Sequence, residues 1–454
     1  MLKKVIINNL FGTYTHEIDL KEDITIIHGL NGCGKTTVLK ILVYLFTKNT
    51  ESLSQVEFDS IKLLFEEGQE LEIERRNTTS KEDGVSTYFR RVRGDNSYYL
   101  FFHLLDNGVV SESPTKESIV RILANHNIDN STYIKKGYSP LFRGLSEEQV
   151  VEYLEKSFSS KEINEGNFDL LYRITREYRR SLELSEEIGK FLDLIDVKFI
   201  STDRLKVQTS QKSTSYGEEN TKIEEKVSIS AKQIAERIVR TLQEYGDFSQ
   251  RTDRTFPFRV LKETHSLEAD DILKKLSYLE GRRKHYMSIG ILELENEDSI
   301  YDIKKSLITD DTRRTLSLYL LDNEKKLEVI EKLSKQISKF KEILDKKLVN
   351  KEILFDKTKG FTFRIKKTGK LLDGTQLSSG EQQQLVLLYE LIFNTSPKTL
   401  VLIDEPELSL HITWQQEFLS DMLDIIRSNS FRLIIATHSP QIINNRWDLT
   451  VLLG

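Results

Sequence analysis

The chain has 454 residues, 66 Lys+Arg against 71 Asp+Glu, 38% hydrophobic residues and a single cysteine, Cys33. One thiol excludes an intrachain disulfide and a cysteine-built zinc site, and the length allows either about two or three domains or one core with a large insertion. No stretch supplies the ~18 consecutive apolar residues of a membrane span, the start MLKKVIINNLFG lacks the apolar run of a signal peptide, and a net charge of -5 offers no global attraction to nucleic acid. A reducing cytoplasm without membrane attachment is the expectation.

VIINNL, THEIDL and ITIIHGL read as short strands, the last ending in a glycine turn. From Thr36, the run TTVLKILVYLF sets Val38, Leu39, Leu42, Val43 and Phe46 on one helical face, so the turn joins a buried strand to a helix. IKLLFEEGQELEIERR and VSTYFRRVRGDNSYYLFF look like hairpins turning at Glu67-Gly68 and Gly94-Asp95-Asn96, an antiparallel sheet beside the glycine turn. Residues 111–350 are charged and helix-periodic, interrupted by the loop-like SQKSTSYGEEN. Within them Ile330, Leu333, Ile337, Phe340 and Leu344 alternate in 3,4 spacing and predict a helix packed on antiparallel neighbours, with ISAKQIAERIVRTLQ and ADDILKKLSYLEG as partners. Strand texture returns at GFTFRIKK, followed by a helix from Glu381, a buried strand TLVLIDE, a helix near TWQQEFLSDMLDII and a second buried strand, FRLIIATHS.

Gly29-Leu30-Asn31-Gly32-Cys33-Gly34-Lys35-Thr36 satisfies every fixed position of a phosphate loop and stands between a strand and a helix. Its glycines let backbone N–H groups turn inward, the helix N-terminus adds its positive end, Lys35 bridges terminal phosphates and Thr36 binds Mg²⁺. Asn31, Gly32, Cys33, Gly34, Lys35, Thr36 and Thr37 are therefore the phosphate-contacting candidates. TLVLIDE ends in two carboxylates, Asp404 for the metal shell and Glu405 to polarise an attacking water. Upstream, Leu377-Ser378-Ser379-Gly380-Glu381-Gln382 opens a helix. Downstream, His438 follows an apolar strand and reaches the level of the phosphates. Cys33 sits between loop glycines beside Lys35, surroundings that lower a thiol pKa, so alkylation blocking nucleotide binding is expected.

In this order the phosphate loop, LSSGEQ, VLIDEP, ELSLH and ATHSP resemble the heads of ABC-type ATPases, in the soluble branch of the SMC, RecF and overcoming-lysogenization-defect proteins. The resemblance covers roughly the first 110 and last 100 residues. It implies an α/β ABC-type P-loop head, a mixed sheet plus antiparallel β-subdomain, divided as 1–110 and 351–454 around a mainly helical insertion, 111–350. It further implies ATP and Mg²⁺ as cofactors, with Thr36 and Asp404 as metal ligands and Lys35, Glu405 and His438 as catalytic groups. Ser378, Ser379, Gly380 and Glu381 would then cap ATP on another subunit, with Leu408 and Ser409 crossing the interface, so that a homodimer of heads is the minimal active unit. The glutamine loop of such heads has no clear place, Gln55 and Gln69 being candidates and ordinary surface glutamines the alternative.

The long separation of phosphate loop from signature excludes a transporter cassette, and the insertion is too short for an SMC rod. Ser201-Thr202-Asp203-Arg204-Leu205, Thr255-Phe256-Pro257-Phe258-Arg259 and Leu377 to Gln382 look similar to the stand-alone ATPases of bacterial anti-phage operons, those of PARIS and Septu, the former closer in length and in the TFPFR segment. That likeness implies a slow, regulatory ATPase that holds a separately encoded nuclease, TOPRIM-type in PARIS, and releases or activates it when a phage component is sensed. The competing reading is a repair or recombination ATPase of RecF or SMC type. Arg90, Arg91 and Arg93 with Tyr88, Tyr98 and Tyr99, or Arg282, Arg283 and Lys284, would then track a nucleic-acid backbone, unless they form a solvated hairpin and helix face.

Overall fold

The computed structural model describes residues 1–77, 91–93, 96–106, 109–112, 186–211, 220–264, 266–293, 308–408 and 410–454. A five-stranded parallel sheet forms the centre, built from β3 (Ile24–Gly29), β9 (Val197–Ile200), β15 (Leu400–Asp404), β16 (Arg432–Ala436) and β17 (Thr450–Leu453), in the order β17-β3-β16-β15-β9. Its strands alternate by face, as a pleated strand buried on both sides must. Ile26, Val401, Ile403, Leu433 and Ile435 enter one core, whereas Ile27, Leu400, Leu402, Ile434 and Ala436 enter another.

The second core is closed by α1 (Lys35–Phe46) and by an antiparallel sheet containing β1 (Leu2–Leu10), β2 (Tyr14–Asp19), β4 (Ser60–Phe65), β5 (Glu70–Asn77), β6 (Arg91–Arg93), β7 (Asn96–Asp106) and β8 (Val109–Glu112). Both hairpins expected from the sequence pair, β4 with β5 and β6 with β7. Of the expected face of α1, Val38, Leu39, Leu42 and Phe46 are buried and Val43 is half-buried; Ile41 and Leu45 are buried as well. Two short helices complete this half, α2 (Thr50–Ser54) and α3 (Glu186–Leu192).

The first core holds the helices. After the two-stranded ribbon of β10 (Lys206–Gln211) and β11 (Asn220–Glu225) come α4 (Lys226–Lys262), α5 (Ala269–Ser288) and α6 (Asp310–Lys347). All five seam residues of α6 are buried, Ile330, Ile337 and Phe340 completely. Both partners are as expected, but only one is antiparallel. Asp253 of α4 meets Lys326 and Arg259 meets Asp322, while Lys275, Arg282 and His285 of α5 meet Glu324, Glu331 and Ser338, so α5 runs parallel to α6. Thr255–Arg259 lies inside α4 around Pro257, and its Arg259 grips both carboxylate oxygens of Asp322 at 2.6 and 2.7 Å.

A small antiparallel sheet, β12 (Lys351–Asp356), β13 (Gly360–Ile365) and β14 (Leu371–Leu372), packs on these helices and leads into α7 (Ser379–Phe393). Phe340 joins the layers, its ring meeting those of Phe355, Phe361 and Phe393. The C-terminal end of α7 is tied to β9: Lys198 Nζ donates to the carbonyls of Glu390 and Asn394 and pairs with the Glu390 carboxylate, which also meets Lys226. Cations at a helix C-terminus complement its dipole. Last come α8 (Ile412–Asn429) and α9 (Pro440–Ile443).

One boundary moves. Residues 197–200, expected within the insertion, form the edge strand of the central sheet, with Ile200 level with Ile403 of β15. The arginine hairpin lies mostly outside the described residues or without described side chains. Arg282 is not a free cation; it bonds the Tyr286 hydroxyl and the Glu331 carboxylate, while Lys284 pairs with Glu280.

Candidate nucleotide site

The C-terminal ends of β3, β16, β15 and β9 open on the same edge of the sheet, where ligands of open α/β sheets bind. From β3 the chain enters the glycine loop. Gly34 has φ +95°, and a Cβ there would stand 2.7 Å from Leu10 Cδ2; a Cβ on Gly29 would stand 2.2 Å from the Leu453 carbonyl oxygen. A side chain at Gly29 would displace the β17 backbone, and the left-handed φ of Gly34 calls for glycine there. Lys35 is buried, its Nζ donating to the carbonyls of Gly29 and Leu30 at 3.1 Å each. Asn31 and Gly32 are exposed at the loop surface and Thr37 is half-buried in the first turn of α1. Cys33 differs from expectation: its side chain is 1% exposed within the core beneath the loop, so the thiol is shielded.

Thr36 Oγ1 donates to both carboxylate oxygens of Asp404, at 3.0 and 3.1 Å, which joins the first turn of α1 to the end of β15. A hydroxyl and a carboxylate side by side form the hard oxygen donor set that Mg²⁺ prefers. Burial raises the Asp404 pKa despite the Thr36 bond. Glu405 follows with φ 44°, a left-handed conformation uncommon outside glycine, held by its N–H on the Ala436 carbonyl. This turn sets Glu405 Oε1 3.3 Å from His438 Nε2. Burial, then the neighbouring Glu407 carboxylate, pushes the Glu405 pKa up to about 8.

Glu407 is the functional candidate that sequence reasoning missed. Its Oε1 accepts from Thr437 Oγ1 at 2.5 Å, from His438 N at 2.9 Å and from Ser439 N at 3.1 Å, clasping the loop after β16. The available signal was a second acid, two residues past Glu405, before an exposed Leu408.

The signature segment lies apart. Ser378 caps α7 in a capping box with Glu381, whose Oε2 accepts from Ser378 N and Oγ and whose Oε1 accepts from Lys351 at 2.6 Å. Glu381, expected at a nucleotide, thus has its carboxylate engaged within its own subunit. Ser379 is exposed and Gly380 half-buried at the same helix start. Among the described residues, no hydrogen bond or ion pair links Ser378–Gln382 to the glycine loop or to Asp404–Glu405. Ser409 lies outside the described residues. Gln55 is exposed at the end of α2 and Gln69 lies in the β4–β5 turn; the flank of the acid strand is instead taken by Ser201–Arg204, leaving β9.

A glycine loop and an acid strand so placed define a P-loop ATPase. The sequence profile of the AAA ATPase domain family matches residues 1–443, and the chain belongs to that family. No curated protein matches it. Among solved structures it is similar to the Smc head domain with an extended coiled coil bound to the C-terminal domain of ScpA from Pyrococcus furiosus (13% identity, 98% of this chain and 91% of that one, TM-score 0.34). It is also similar to an SMC head bound to the C-winged helix domain of ScpA (11%, 98% and 91%, TM-score 0.36) and to the SMC head domain from Thermotoga maritima (11%, 99% and 93%, TM-score 0.33). Membership rests on the sequence profile, the superpositions being loose. No helix among the described residues is long and apolar enough to cross a membrane.

Proposed function

We propose that the chain binds Mg-ATP on Gly29–Thr37 and hydrolyses it between two copies of itself. Lys35 neutralises the terminal phosphates, Thr36 and Asp404 hold Mg²⁺, Glu405 takes the proton of the attacking water, and His438 orients that carboxylate. Mg²⁺, when bound, supplies the Lewis acid for the transferred phosphoryl group. The observation that carries the pairing is the absence, among the described residues, of any hydrogen bond or ion pair joining the signature to the glycine loop within one chain, together with Leu30 and Leu408, 81% and 48% exposed. A second copy would cover these leucines while presenting Ser378, Ser379 and Gly380 to the nucleotide.

The biological reading is an ATP-gated scaffold of an anti-phage system that holds a separately encoded nuclease, of TOPRIM type, and releases it when a phage component is sensed. Its support is the resemblance of Ser201–Leu205 and Thr255–Arg259 to such ATPases and the compact helical arm.

Purifying Glu405→Gln with Mg-ATP from cells carrying the neighbouring genes tests both levels. The expected product is a homo-oligomer with ATP retained and a stoichiometric nuclease. An ATP-bound monomer would overturn the pairing, DNA without a protein partner would overturn the scaffold, and wild-type turnover would overturn the role of Glu405.

A further inference from the structure

Arg204 is 6% exposed, yet its Nε and Nη2 have no hydrogen-bond partner among the described residues. A guanidinium carries five donors in a rigid fork, and leaving donors unmet in a buried place is costly, so such a group is either badly placed or awaits an acceptor. Its placement argues for the second. Arg204 lies four residues past Ile200, which is level with Ile403, so its loop leaves the sheet beside Asp404–Glu407. The opposite charges acting on it are Glu407 first and Asp404 second. Burial lowers its pKa to about 10, leaving it a cation at neutral pH. Glu407 Oε2 is also buried without a partner, so an unmet cation and an unmet anion face the same corner without closing on each other.

The two buried cations of the corner differ. Lys35 Nζ has two carbonyl acceptors in place, and Arg204 has donors to spare. Beside them stand the Asp404 and Glu407 carboxylates, which repel a terminal phosphate unless a cation offsets them. A planar fork is the side chain best matched to phosphate oxygens.

We propose that Arg204 reads the terminal phosphate of the bound nucleotide, donating to it from the β9 side and so distinguishing a nucleoside triphosphate from the diphosphate. This rests on the ATP site proposed above. A residue serving only to balance Glu407 would leave triphosphate and diphosphate affinities equally affected.

The test is the affinity for Mg-ADP and for a non-hydrolysable Mg-ATP analogue, by calorimetry, in wild type, Arg204→Met and Arg204→Lys. Arg204→Met is expected to weaken the triphosphate analogue about tenfold or more, as loss of a charged hydrogen bond does, with ADP changed by less than about twofold. Arg204→Lys, which keeps the charge but not the fork, should fall between. Equal losses for both nucleotides, or none, would overturn the inference. A wild type binding neither nucleotide would overturn the ATP site itself. Melting of the nucleotide-free proteins separates folding from recognition: the unmet guanidinium predicts that Arg204→Met melts no lower than wild type. A lower Tm restored by Glu407→Gln would mark a structural pair and sink the proposal.

Discussion

Glu407 draws three donors of the loop Thr437–Ser439 onto one carboxylate oxygen, and its charge also acts on Glu405, the residue assigned to water activation. The loop it clasps carries His438, whose ring is 3.3 Å from Glu405. Replacing Glu407 by Ala frees the histidine from the acid without removing any phosphate or metal donor. Turnover should fall by about a hundredfold, the scale of a misplaced general base, while Mg-ATP affinity stays within about threefold. Steady-state kinetics beside nucleotide titration checks this, and a parallel loss of affinity would place Glu407 in binding instead. None of this is legible from DEPELSLH, because a spare acid near two others reads as solvated surface until Thr437 is found folded over it.

Helix α7 carries the signature at one end and is anchored at both. At its start the Glu381 carboxyl is partly desolvated, which pushes its pKa up, but bonds from Lys351 and Ser378 prevail and hold it below the ordinary value of 4.5. A depressed folded pKa means stability present above the unfolded value and lost as pH falls through the folded one. The gap in urea stability between wild type and Glu381→Gln should therefore be widest near neutrality and shrink as pH drops from about 5 to about 3. A gap independent of pH would show the carboxylate charge to be idle. Elements were unevenly legible. The 3,4 seam of α6 announced itself because every seam residue had to be apolar. The strand Val197–Ile200 did not, since four residues inside a charged region carry too little pattern, and pairing with β15 alone identifies it. The direction of α5 was equally hidden, being set by how the chain returns to α6 rather than by either helix face.

At the scale of the molecule, one parallel sheet divides two cores, and both halves of the chain supply it. Its composition was readable in the phosphate-loop strand and the two buried strands of the C-terminal part, each a run of apolar residues bounded by chemistry. The way the helical lobe attaches was not. That lobe joins the sheet edge at Lys198, which holds the end of α7 by two carbonyls and a carboxylate, while the same strand ends four residues before Arg204. The strand is in effect a tie-rod between one nucleotide and the helix that would serve the nucleotide of the other subunit. Under the proposed pairing, two sites linked so would be coupled. ATP hydrolysis should rise with a Hill coefficient above one, and Glu390→Ala should bring it to about one while sparing binding at the single site, as expected when a coupling free energy is removed. A hyperbolic wild type would mean that the rod carries no load, and that each half of the pair keeps its own time.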